Sequence, residues 1–313
     1  MFVLDPRTEF IPPDLPAGAL YDRAVAAYLG LAVGDALGAT VEFLTPREIL
    51  SQYGEHRDIV GGGWLGLRKG RVTDDTEMSL ALGRSILATG GVNAVAIAHA
   101  FSEWMRTKPV DIGNTVRRGI GLYRQTGTTE VAQHDYDAGN GACMRCLPIA
   151  LYTLGADPDA VDQANRIQAH VTHHNALSDA GTFAVIRMVQ AGLLGGDRSH
   201  LKELAEALVA EDERYRYDRR RMENPGGYLV ETLRAVFQAL FATDSFESAL
   251  VEVVNRGGDA DTTGAILGMI AGAHYGLEAI PRRWLNVLDK ETARDCKDQA
   301  IALLRASPHM SGA

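Results

Sequence analysis

A chain of 313 residues with 46% hydrophobic and 23% charged side chains has the composition of a soluble globular protein with a sizeable core. Its formal net charge of -9 argues against general nucleic-acid binding, which needs a basic face, and leaves room for a small anionic ligand held by local donors. Three cysteines, an odd number, fit a reducing compartment, and residues 1–6 lack the basic and apolar regions of a signal peptide, so a cytoplasmic location is expected.

Residues 1–19, carrying Pro12, Pro13 and Pro16, read as an extended arm, 20–306 as one domain, and 307–313 as a short tail. Over residues 21–37 apolar and small side chains recur at three- and four-residue spacing, which predicts a helix. The same spacing predicts helices over 76–89, 92–105, 114–125, 143–154, 158–170, 179–194, 200–211, 227–242, 246–255, 262–276 and 281–304. Convincing period-two strands are lacking, so the expected architecture is all-α, a single multi-helix domain. The best membrane-helix candidate, 265–280, is interrupted by glycines, a histidine and a charge, short of the roughly 18 apolar residues a span requires. No apolar heptad seam is present, and a monomer is expected.

The chemistry concentrates at two helix starts. Gly257-Gly258-Asp259-Ala260-Asp261-Thr262-Thr263-Gly264 places two carboxylates and hydroxyls on a glycine-rich turn, and Thr73-Asp74-Asp75-Thr76-Glu77-Met78 does the same nearly two hundred residues upstream. Two carboxylates about 4 Å apart repel by roughly 4 kcal/mol at an effective dielectric near 20, so gathering four aspartates calls for a cation. Hard oxygen ligands suit Mg²⁺ or Mn²⁺, and ligands from distant segments suit a binuclear site. Taken singly, either cluster reads equally well as helix caps and first-turn acids complementing the helix dipole. Taken together they exceed what capping needs.

Two other segments stand out. Cys143 and Cys146 form a C-x-x-C without a second pair or a nearby histidine pair, and their small and apolar flanks predict buried structure. Residues 211–221 form a dense mixed-charge run, read as a solvated segment or as a docking surface for an acidic partner.

Several ordered motifs together resemble the ADP-ribosylglycohydrolase family over nearly the whole chain. They are Gly30-Leu31-Ala32-Val33-Gly34-Asp35-Ala36-Leu37-Gly38 with Glu42, Thr73-Asp74-Asp75-Thr76, Asp111-Ile112-Gly113-Asn114-Thr115, Gly139-Asn140-Gly141-Ala142 with Met144-Arg145 and Pro148, Thr172-His173, Gly227-Tyr228, and the Asp259/Asp261 motif. The resemblance implies an all-α fold with a cleft holding two divalent metal ions, Mn²⁺ or Mg²⁺. Carried over by position, it implies Thr73, Asp74, Asp75, Asp259, Asp261 and Thr262 as metal ligands. It places Glu42 at the same centre, as a ligand or as a base acting on water, and gives Asp111 a proton-handling role facing the ribose.

A nucleotide-sugar ligand also needs pyrophosphate donors and an adenine platform. The turns Gly113-Asn114 and Asn140-Gly141 lie at predicted helix starts and suit phosphate or ribose oxygens, and Tyr228 is placed to stack on the nucleotide. Each also reads as a helix cap or a half-buried aromatic. His173 is the candidate for substrate contact, His174 is expected to be scaffold, and Asp35 is expected to bond turn amides near the cleft.

The resemblance implies removal of ADP-ribose from an arginine of a target protein. The strings at 73–78 and 139–145 are similar to those of the bacterial arginine-specific group, for which the target is the iron protein of nitrogenase (dinitrogenase reductase). It also implies regulatory partners, a PII-type signalling protein and an ammonium-transporter complex, with membrane association through a partner. Serine-linked ADP-ribose or O-acetyl-ADP-ribose as substrate, and a non-catalytic ADP-ribose binder, remain the alternatives.

Overall fold

A computed structural model describes residues 18–135 and 137–311; most of the arm expected at 1–19 lies outside them. Among the described residues the regular structure is helical, with two isolated antiparallel bridges, Gly62 to Leu67 and Gly139 to Tyr228, and no strand. The helices are α1 (Ala19–Gly38), α2 (Pro46–Tyr53), α3 (Asp74–Thr89), α4 (Ala94–Arg106), α5 (Asn114–Thr126), α6 (Leu147–Tyr152), α7 (Pro158–Ala169), α8 (Ala176–Leu193), α9 (Arg198–Glu211), α10 (Leu229–Ala242), α11 (Phe246–Val254), α12 (Ala260–Tyr275), α13 (Arg282–Val287), α14 (Lys290–Arg305) and α15 (Pro308–Ser311).

The spine is the antiparallel pair α1 and α12. Glycine or alanine recurs every fourth residue on both, so that Gly30 faces Gly268, Gly34 faces Gly264 and Gly38 faces Ala260. A Cβ at Gly34 would stand 2.0 Å from the Gly264 carbonyl oxygen, and one at Gly268 would stand 2.1 Å from that of Gly30. The backbones therefore touch, and only glycine permits it. Residues 24–38 of α1 and 260–273 of α12 are buried without a break, enclosed by α8, α10, α11 and α14. This pairing brings the C-terminus of α1, just before Glu42, against the N-terminus of α12, which carries Asp259 and Asp261.

The third element of the site is fixed from α1. Asp35, wholly buried, accepts from the backbone N–H of Thr73 and Thr76 at 3.0 and 3.1 Å and from their hydroxyls at 2.9 and 2.5 Å. It thus bonds amides near the cleft, as expected, and in doing so caps α3 from another helix, α3 having no side-chain cap of its own. The N-cap residue of α12, Asp259, likewise makes no side-chain cap bond. The capping reading therefore explains neither acid cluster.

Several boundaries differ from the expected ones. The stretch 143–154 is helical only from Leu147, because the Asn140 carbonyl takes the N–H groups of both Cys143 and Met144 in a tight turn and Pro148 opens a new helix. The stretch 281–304 breaks after Val287, where Asp289 starts α14 by accepting from Thr292 N at 3.1 Å. Helix α2, absent from the periodicity, is set by a capping box between Thr45 and Glu48 with Pro46 in its first turn. Residues 308–311 form a helical turn docked through His309 N to Leu154 O at 2.9 Å.

Cys143 and Cys146 are buried, and the Cys146 sulfur lies 4.0 Å from that of Met269, so the pair belongs to the core. In the charged run, Arg214 pairs with Asp212, Arg216 and Arg219 with Glu213, and Arg221 with Glu252. Among the described residues no helix is long and apolar enough to cross a membrane.

Candidate functional site

Where α1, α3 and α12 converge, a cleft of about 550 Å³ opens. Glu42, Asp74, Asp111, Asp259, Asp261 and Thr262 line its acidic floor. One carboxylate oxygen each from Glu42, Asp111 and Asp261 lies within 4.8 Å of the other two. Thr73 and Asp75 stand just behind: the Thr73 hydroxyl donates toward Asp35 at 2.9 Å and lies 3.2 Å from Asp75 Oδ2 and 3.4 Å from Asp261 Oδ2. All of the proposed ligand positions thus fall at one place, in two layers.

The floor is electrostatically unbalanced. Burial, aided by the neighbouring carboxylates, pushes Glu42 up to about 8 and Asp74 up to about 8, and drives Asp75 and Asp261 well above the usual carboxylate range. Asp111 is raised for the same reason. The nearby Arg145 directs its guanidinium elsewhere, to Gln168 and Thr172. Asp75 Oδ1 is buried with no hydrogen-bond partner. An all-oxygen donor set with an orphaned carboxylate oxygen fits a divalent cation, which would supply both the missing charge and the missing partner.

The glycines of the second motif have a steric role. Gly257 and Gly258 adopt left-handed backbone conformations, and a Cβ on Gly257 would stand 2.0 Å from Leu44 O and one on Gly258 2.1 Å from Pro225 O. The tight fit allows Phe43 N to donate to Gly258 O at 2.7 Å and Gly258 N to Leu44 O at 3.0 Å. The Glu42 turn is thereby fastened to the Asp259 turn.

A second part of the lining, the wall, carries donor groups, some already committed to the floor, as Gly113 N–H is to Asp74 Oδ2 at 3.4 Å. Gly113, Asn114, Asn140, Gly141 and His173 line it, and Asn140 Nδ2 donates to Asp259 Oδ2 at 2.7 Å, joining wall to floor. His173 is held through a buried relay. Arg145, lying over the Phe101 ring at 4.4 Å, donates to the Thr172 hydroxyl at 2.8 Å, and that hydroxyl lies 2.7 Å from His173 Nδ1. An arginine only donates, so the Thr172 oxygen accepts there and its own proton goes to Nδ1. The imidazole is then the Nε2–H tautomer, and burial holds its pKa down to about 3, so it is neutral. Its Nε2 lies under the Gly139–Gly141 turn, 3.0 Å from where a Cβ on either glycine would stand.

Tyr228 lies next to the cleft, since Gly227 before it and its bridge partner Gly139 both line it. It sits 38% exposed at the start of α10. His174 bonds Val131 O at 2.9 Å, a scaffold contact as expected. His170, His174 and Glu130 form a second group with metal-ligand chemistry, but the two rings are stacked at 3.7 Å with planes 19° apart. Imidazole lone pairs lie in the ring plane, so two stacked rings do not converge on one ion. This group fastens the chain at 130–134 to the corner between α7 and α8.

Sequence reasoning missed three contributors. Trp64 and Phe43 line the mouth of the cleft, with Trp64 Nε1 donating to Glu42 Oε2 at 2.7 Å. Their signal was the string Gly61-Gly62-Gly63-Trp64, a lone aromatic in a loop too glycine-rich to bury it. The relay role of Arg145 had no local signal, since it depends on packing between distant segments.

An all-α fold built around an acid-floored, donor-walled cleft defines a glycohydrolase architecture. The chain belongs to the ADP-ribosylglycohydrolase family, whose model matches residues 16–310. It is 48% identical over 286 residues, 91% of this chain and 97% of the relative, to an ADP-ribosyl-[dinitrogen reductase] glycohydrolase of Rhodospirillum rubrum. It is 31% identical to an ADP-ribosylarginine hydrolase of Serratia proteamaculans, over 88% of this chain and 78% of the relative. A solved structure, an ADP-ribosylglycohydrolase-related protein complex, superposes with a TM-score of 0.80 at 34% identity, covering 92% of this chain and 98% of that one.

Proposed function

We propose that the protein is a metal-dependent hydrolase that releases ADP-ribose from an arginine side chain of a target protein, and that the target is dinitrogenase reductase, which it reactivates. The observation that carries this reading is the joining of the acid floor to the donor wall in one cleft, in a chain 48% identical to a glycohydrolase named for that target.

In this reading the donor wall receives the anionic pyrophosphate and ribose, with the neutral His173 presenting Nε2–H and the Gly113-Asn114 turn opening α5 toward phosphate oxygens. Thr73, Asp74, Asp75, Asp259, Asp261 and Thr262 hold two divalent cations, Mn²⁺ or Mg²⁺. When bound, such cations supply Lewis-acid polarisation of sugar hydroxyls and water. Glu42 takes a proton from the attacking water, the water oxygen bonds to the anomeric carbon, and the carbon–nitrogen bond to the guanidine breaks. The proton then passes to the departing guanidine, which leaves as guanidinium. Asp111 faces the ribose and holds or moves a hydroxyl proton.

The same reading offers the arginines at 214–221, or the arm at 1–19, for docking of a PII-type protein and an ammonium-transporter complex. Neutralising those arginines is expected to weaken co-purification with both.

The test of the activity is release of ADP-ribose from an arginine-modified protein by chelator-stripped enzyme, with and without Mn²⁺ or Mg²⁺, beside a serine-modified control. Metal-restored release from arginine alone is expected. Release from serine alone would reassign the linkage, and no release from either would overturn the hydrolase reading.

A further inference from the structure

Two large aromatic side chains stand uncovered at the mouth of the cleft, Phe43 at 61% exposure and Trp64 at 56%, and no interior contact accounts for them. Their rings lie 5.4 Å apart at 50°. Both are held in place by expensive local structure. Phe43 has a left-handed backbone, φ 63°, unusual for a bulky residue, and its N–H is fixed to Gly258 O. Trp64 rides on a loop whose Gly61, Gly62, Gly63 and Gly66 are all left-handed; a Cβ on Gly63 would stand 2.4 Å from Ala39 O, so the loop is seated on the end of α1. The Trp64 Nε1–H to Glu42 bond then fixes the indole edge and leaves its face open.

Gly113, Asn140 and His173 line the same cleft, with Gly113 N–H and Asn140 Nδ2 tied to the floor at Asp74 and Asp259, and the aromatic pair adjoins the floor at Glu42. Guanidinium is planar and weakly hydrated, and stacks on aromatic faces more readily than other side-chain groups.

We propose that Trp64 and Phe43 form a subsite for the guanidinium-bearing side chain attached to the sugar, holding it by cation–π and stacking contact and selecting arginine over serine adducts. This rests on the activity reading above in placing the sugar over the acid floor. The subsite itself requires only a guanidinium and the two rings.

The test uses the full chain with Mn²⁺ and the variants Trp64→Ala, Phe43→Ala and Trp64→Phe. For ADP-ribosyl-arginine, KM is expected to rise about tenfold in Trp64→Ala and somewhat less in Phe43→Ala, with a smaller change in kcat. Trp64→Phe keeps an aromatic face but loses the hydrogen bond, and is expected to stay within about threefold of the parent. The affinity for free ADP-ribose, read by calorimetry, is expected to be unchanged in all three. The other two tryptophans, Trp104 and Trp284, are buried, so agmatine added to the ADP-ribose complex is expected to quench Trp64 fluorescence, and the quench to vanish in Trp64→Ala.

Loss in Trp64→Phe equal to that in Trp64→Ala would assign the effect to the Glu42 hydrogen bond and overturn the subsite. Parallel loss of ADP-ribose affinity, or no change in any variant, would also overturn it. If the parent enzyme releases nothing from arginine adducts, the activity reading fails, while the agmatine quench still reports on the subsite alone.

Discussion

The floor and the wall of the cleft solve opposite problems. The floor crowds buried carboxylates together, leaves Asp75 Oδ1 without a partner, and pushes Glu42 and Asp74 up to about 8. In the wall, Arg145, Thr172 and His173 bond one another in sequence, although Arg145 Nη1 is itself buried without a partner. A floor of that kind is finished only by what binds it, whereas a wall of that kind is organised before anything arrives. The relay is thus ordered within the polypeptide, while the acid cluster lacks a positive partner.

The largest effect that separates the two comes from removing a floor carboxylate. Asp261→Asn keeps the shape and removes a charge; Mn²⁺-dependent turnover is expected to fall by about a thousandfold or more, while calorimetric ADP-ribose affinity drops far less. Equal loss in both would mean that the floor also does the wall's work.

Acidity offers a second separation. Glu42 and Asp74 titrate near 4 in an unfolded chain and at about 8 in the metal-free fold, so between roughly pH 4 and 8 the folded state binds more protons than the unfolded one. That stabilisation is complete at low pH and is lost as pH rises through the folded values. The melting temperature of stripped protein is therefore expected to decline from pH 5 to pH 8, and Mn²⁺ to raise it more at pH 8 than at pH 5. A flat profile with an unchanged metal increment would show that the floor is compensated from within.

The smallest effect tests the wall. Thr172→Val removes both the acceptor for Arg145 and the donor to His173, which frees the imidazole to adopt either tautomer. ADP-ribose affinity is expected to fall by three- to tenfold, roughly the worth of one hydrogen bond, with Thr172→Ser restoring it. Nitrogen chemical shifts of His173 would show the tautomer directly, and an unchanged Nε2–H form in Thr172→Val would refute the relay.

What was legible in the sequence followed from what is local. The acids at 73–75 and 259–261 announce themselves because residue type and helix start coincide, and the small-residue periodicity of α1 and α12 already contained their pairing. Asp35 was legible as a turn-binding residue, although not as the cap of α3. Tyr228 was placed by its neighbours in sequence, and the bridge to Gly139 that sets it beside the cleft had no local signal. The breaks at Leu147 and after Val287 were hidden because apolar spacing persists across them while a proline and an aspartate cap reset the helix. The relay through Arg145 and the seating of Trp64 depend on contacts between segments far apart in the chain, and no local pattern reports those.

The glycine contact between α1 and α12 has a bearing on how this site can change. Where α1 and α12 meet backbone to backbone, at Gly30 and Gly34 against Gly268 and Gly264, no side chain intervenes to shrink, swell or repack, so the spacing there is set by the main chain. Mutation can redecorate the loops that hold Trp64, Gly113 or Asn140 without touching that contact. It cannot widen the floor by small steps, because the first methyl group added to the seam already collides with a carbonyl. The separation of the Glu42 and Asp261 turns is therefore tied to that backbone contact.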